Sequence, residues 1–203
     1  MARFPEIRDE ELDDEQRRVA AAIRGGPRGA LSGPFVPLLH SPSLADRVQA
    51  LGAYLRYECS LPEDLKELAI IVTARHWTAQ YEWYAHSRFA LEAGISPEII
   101  GAIAADRRPD GLSRVRTAVY DFCIELHEEG RVSEATFERA LDVLDRHRLM
   151  DLIGLCGYYT LIALVLNVAH MPVPDGEVPL GRRRPRTARA SDRPPPRAGA
   201  PPA

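Results

Sequence analysis

Apolar residues recur at helical spacing along most of the chain, and no run alternates long enough to read as a strand. The pattern predicts helices over about 13–24, 43–58, 62–77, 79–93, 96–105, 113–129, 133–145 and 149–170. Breakers punctuate them: the GGPRG run after the first, Gly94 and Gly130 after later ones, and Pro172 and Pro174 after the last. Ser43 reads as the cap of the second helix, whose stripe is Leu44, Val48, Leu51 and Leu55. Residues 31–43 carry too much proline for a regular element, although Phe35, Val36, Leu38 and Leu39 are expected to pack inward.

The expected fold class is therefore all-α, a helical bundle. The last helix is apolar on nearly all sides and about the ~20 residues needed to span a bilayer. Asp151 and Asn167 lie within it and no second span accompanies it, so burial in a bundle or subunit interface is the favoured reading.

Composition changes this picture little. The chain has 203 residues, 45% of them hydrophobic and 27% charged, as in an ordinary globular protein. Its net charge of −3 is uneven: seven arginines and one acid give residues 181–203 a local +6, leaving −9 on the rest. An acidic body argues against nucleic acid as a partner. The expected organisation is a helical domain over 1–178 and a disordered arginine- and proline-rich tail over 179–203. Three dispersed cysteines, Cys59, Cys123 and Cys156, and an acidic N-terminus without an apolar stretch point to a reducing, cytoplasmic setting with no secretory signal.

Candidate chemistry concentrates in residues 65–96. Glu82 and His86 are four apart and share a helix face, flanked by Tyr81 and Tyr84. Glu67 lies on the preceding helix, within reach if the two helices pack together. A buried Glu–His pair holds a proton near neutral pH and suits acid–base work. Spacing alone fits a helix-surface ion pair at least as well. No HExxH motif and no paired Glu-x-x-His motifs are present, so no metal is expected.

The run from Lys66-Glu67-Leu68-Ala69-Ile70 through Ala74-Arg75, then Tyr81-Glu82-Trp83 and His86 to Ala93-Gly94-Ile95, resembles the carboxymuconolactone decarboxylase family of AhpD-like proteins. Redox-active relatives carry a CxxC pair between a glutamate and a histidine. Glu67 and His86 match those outer positions, while Ala79 and Glu82 stand where the cysteines would be. Without a vicinal dithiol at that place, the resemblance implies a decarboxylase-type subgroup rather than a thiol peroxidase.

The resemblance further implies an AhpD-like, cofactor-independent homo-oligomer acting on a small carboxylated or lactone-type metabolite as a carboxy-lyase. In that reading Glu67, Glu82, His86 and Tyr81 are catalytic, with His86 polarised by Glu82 and Glu67 completing the relay. Arg75 would anchor the substrate carboxylate, with His76 and Trp83 as further substrate-binding residues. A related lyase, isomerase or hydrolase using the same relay, or a non-catalytic oligomeric binding protein, remain alternatives.

Overall fold

A computed structural model of the chain describes residues 2–176 and 178–183. Among them are nine α-helices and no strand. They are α1 (Asp14–Gly25), α2 (Phe35–Leu38), α3 (Pro42–Ala53), α4 (Glu63–Trp77), α5 (Gln80–Glu92), α6 (Pro97–Ala104), α7 (Arg114–Glu129), α8 (Glu134–Leu141) and α9 (Arg146–Ala169).

Helix starts follow local chemistry. Asp13 and Gln16 form a reciprocal capping box at α1. Ser96, Ser113, Ser133 and Asp145 accept the first free backbone N–H groups of α6, α7, α8 and α9. Glu63 and Asp64 occupy the first turn of α4, Arg75 and His76 the last, each matching the sign of the helix dipole.

α4 is the centre of the bundle. Every residue from Leu65 to Arg75 is buried, because α9, α5 and α7 pack around it and α6 closes one end. α4 ends at Thr78, whose φ of 50° sets the left-handed corner into α5. Asn167 on α9 donates to the Trp77 carbonyl at 2.9 Å and satisfies that helix end.

α9 is the one helix among the described residues long and apolar enough to cross a membrane, and half of its most apolar window is buried within the bundle. Asp151, the acid in that helix, is 6% exposed and accepts from the Tyr54 hydroxyl at 2.8 Å. The outer side of α9 leaves Met150, Leu164 and Val168 exposed.

Several sequence expectations need correction. Residues 35–38 form a short helix despite Pro37. The helix expected over 43–58 begins at Pro42, with Ser41 rather than Ser43 at the N-cap position. Its buried face is Ala45, Val48, Gly52 and Leu55, while Leu44 and Leu51 are 44% and 49% exposed. Past Ala53 it changes to a π-helical turn, Tyr54–Glu58, closed by the Cys59 N–H donating to the Tyr54 carbonyl at 2.8 Å. Within the expected tail, Leu180 is buried against the body, and Gln80 brackets its backbone with hydrogen bonds of 2.7 and 2.9 Å. Residues 184–203 of that tail lie outside the described residues.

Candidate active site

The α4–α5 corner lays the two helices side by side and turns Glu67 toward His86. Glu67 is 1% exposed and its Oε2 lies 2.7 Å from His86 Nδ1. Arg56, from the π-helical turn, approaches the other carboxylate oxygen at 3.6 Å. Its guanidinium also lies over the Phe89 ring at 4.5 Å and donates to the Tyr159 hydroxyl at 3.5 Å. A π-turn inserts one residue into a helical path and re-aims the side chains after it, a feature frequent at functional sites.

Burial pulls the His86 pKa below its ordinary value, and the Arg56 charge adds to this, while the Glu67 carboxylate opposes both. The carboxylate therefore takes the Nδ1–H of a neutral imidazole, which leaves Nε2 as the basic nitrogen.

His86 lines a cavity of about 230 Å³ shared with Glu82, Tyr81, Arg28, Tyr158 and Tyr159, with Tyr57 and Phe89 exposed at its rim. Glu82 is 2% exposed and neither of its carboxyl oxygens has a hydrogen-bond partner. Burial pushes its pKa well above the usual carboxylate range and so favours the neutral acid. Arg28 stacks over Phe35 at 4.6 Å and donates through Nη2 to the Tyr158 hydroxyl at 3.4 Å, while its buried Nε is also unpartnered. Unpaired donors and acceptors are rare in protein interiors, and here they converge on one cavity. Burial raises the pKa of Tyr81, Tyr158 and Tyr159, so all three keep their hydroxyl protons.

Two glycines make this arrangement possible. Gly33, at a φ of 59°, crosses the Tyr81 ring so closely that a Cβ would stand 3.0 Å from Cε1. At Gly52 a Cβ would overlap the Tyr158 hydroxyl and the Arg28 guanidinium.

The structure thus brings together four of the residues singled out from sequence, Glu67, Glu82, His86 and Tyr81, but pairs them differently. His86 bonds Glu67, not Glu82. Arg75, His76 and Trp83 do not line this cavity. Arg75 is buried elsewhere, donating to the Gly181 carbonyl at 3.0 Å and facing Asp106 at 4.0 Å. His76 stacks on His127 with ring centroids 5.0 Å apart, and Trp83 belongs to the hydrophobic core. The cations at the cavity are Arg56 and Arg28, which sequence reasoning missed. The PFVPL segment and the helix before Cys59 are near them in sequence, but neither signals a site.

A model of the carboxymuconolactone decarboxylase family matches residues 42–125, the stretch that supplies Arg56, Glu67, Glu82 and His86. Among solved structures, an uncharacterized peroxidase-related protein of Ralstonia eutropha JMP134, described as an alkylhydroperoxidase AhpD core, is similar with a TM-score of 0.71. It is 20% identical, over 86% of this chain and 93% of that one. The apo debrominase Bmp8 gives a TM-score of 0.68 at 11% identity, over 87% of this chain and 94% of that one. A cysteine-to-alanine variant of Bmp8 in complex with 2,3,4-tribromopyrrole gives the same TM-score and identity, over 88% and 94%. No curated protein sequence matches the chain. At such identities the structural likeness establishes the fold alone. The chain thus has an AhpD-like helical fold, and its residues 42–125 match the carboxymuconolactone decarboxylase family.

Proposed function

We propose that the protein is a cofactor-independent acid–base enzyme acting on a small carboxylated or lactone-type metabolite, with decarboxylation as the reaction. The observation that carries this reading is the buried, partnerless Glu82 carboxyl in the same cavity as His86, whose ring is held by Glu67. A buried acid held neutral is suited to delivering a proton to carbon. Arg56 and Arg28 supply a positive field for an anionic substrate in a cavity walled by tyrosines.

In this mechanism the substrate carboxylate leaves as carbon dioxide and the C–C bonding pair passes into the lactone enolate. Glu82 protonates the resulting carbanion. His86, its Nδ1–H fixed on Glu67, then takes a proton from solvent at Nε2 and passes it to the Glu82 carboxylate, which restores the acid. Tyr81 donates a hydrogen bond to the substrate. Against the sequence-based assignment, Glu82 is the donor to substrate and Glu67 the residue that orients His86.

The test is a panel of small carboxylated lactones, followed by substrate loss and carbon dioxide release. Glu82→Gln and His86→Gln should each lower turnover by about 10²–10⁴-fold, the range for a lost general acid or base. Substrate loss without carbon dioxide would favour an isomerase or hydrolase using the same relay. Undiminished turnover in both variants would remove these residues from the mechanism.

A further inference from the structure

We infer that Cys123 and Cys156 form a second functional centre, a buried dithiol that hydrogen peroxide closes to a disulfide between α7 and α9. Their sulfur atoms lie 3.6 Å apart, although the residues are separated by 33 positions. Both thiols are free. A disulfide bond of about 2.05 Å requires the sulfurs to close by only ~1.5 Å, a movement that side-chain torsions and small helix shifts can share.

The surroundings add acid–base chemistry. His127 follows Cys123 by one turn of α7, and Thr73 reaches the same place from α4. The Thr73 hydroxyl donates to the Ala69 carbonyl at 2.8 Å, so the 2.8 Å contact with His127 is an Nε2–H donation to the Thr73 oxygen. The two thiols share a hydrogen bond, and that contact and the neighbouring His127 favour the Cys156 thiolate, while burial opposes it. Cys156 is therefore the more acidic of the two, and Cys123 the more firmly protonated. His127 is half-buried, as is His76, which stacks on it, so the imidazoles connect the dithiol to the surface.

The oxidation balances with one peroxide. The Cys156 sulfur attacks a peroxide oxygen, the O–O bond breaks, and the departing hydroxide takes the Cys156 proton to leave as water. This makes the sulfenic acid of Cys156. The Cys123 sulfur then attacks that sulfur, the S–O bond breaks, and the hydroxyl leaves with the Cys123 proton as a second water. Two thiols and one peroxide become one disulfide and two waters. The centre shares no residue with the proposed acid–base site, although Cys156 lies on the same helix as Tyr158 and Tyr159.

The experiment uses the full-length chain carrying Cys59→Ser, reduced and then treated with one equivalent of hydrogen peroxide. The reaction is followed by alkylation under denaturing conditions and mass spectrometry. The expected result is loss of both alkylatable thiols, a mass decrease of two hydrogens, and a linked peptide pair containing Cys123 and Cys156. Dithiothreitol should restore both thiols. A further Cys123→Ser change should stop the reaction at a Cys156 sulfenic acid that dimedone captures. Two thiols still alkylatable after peroxide, or oxygen added to one cysteine of the Cys59→Ser protein without a cross-link, would overturn the inference whether or not the double variant folds.

Discussion

Glu67 and His86 meet at 2.7 Å across the α4–α5 interface, with the carboxylate fully enclosed and Arg56 on its far side. The carboxylate raises the His86 pKa against burial, so Glu67→Gln should lower that pKa further. Observed by NMR titration, the imidazole of the variant should protonate at more acid pH than in the wild type. Turnover should fall by about 10²-fold, the lower end of the range for acid–base groups, since Gln still fills the site but no longer fixes the imidazolium. An unchanged titration would mean that Glu67 does not act on His86.

Glu82 gives the opposite dependence. Its native pKa is raised, so between the unfolded value near 4.5 and the higher folded value the native state holds more protons. Stability contributed by the neutral acid is present below about pH 4.5 and is lost as pH rises through that window. The slope approaches ~1.4 kcal/mol per pH unit for one group. Urea unfolding of Glu82→Gln at successive pH values should show that this loss has disappeared, leaving the variant more stable than wild type at neutral pH. Parallel profiles would show that Glu82 ionises normally.

Gly52→Ala tests the packing beneath the cavity. The added methyl group would occupy the position of the Tyr158 hydroxyl and the Arg28 guanidinium, so both must move. Overpacking of this kind costs about 1–3 kcal/mol. Thermal unfolding should occur at lower temperature, and binding of small carboxylates, read by calorimetry, should weaken together with it. A variant that binds and unfolds like the wild type would place those two side chains elsewhere.

What the sequence discloses of this site depends on whether a signal is local. Glu67, Glu82 and His86 lie on two consecutive helices joined by a two-residue corner, so helical spacing was enough to bring them together. Arg75 is a plausible anchor because it is a cation in the motif, but it lies eight residues beyond Glu67, about 12 Å further along α4. Arg56 reaches Glu67 only through the π-turn, which apolar periodicity does not reveal because the expected helix simply continues through it. The face of α3 was misread for a related reason. Ala45 and Gly52 carry little hydrophobic signal, yet their small size lets neighbouring side chains approach, whereas the conspicuous Leu44 and Leu51 face outward. The Cys123–Cys156 contact joins two helices through their common neighbour α4, and no spacing rule relates positions 33 apart.

The π-turn at Tyr54–Glu58 has an evolutionary side. One surplus residue in a helical path rotates all that follows by about 100°. Excising a single residue from this turn would restore an ordinary helix and swing the guanidinium off the carboxylate. The Arg56 contact with Glu67 thus hangs on one surplus residue, whereas Arg28 and the α4–α5 pair do not depend on it. Relatives that differ by one residue in this stretch would keep the proton-handling pair but face a different range of substrate charges.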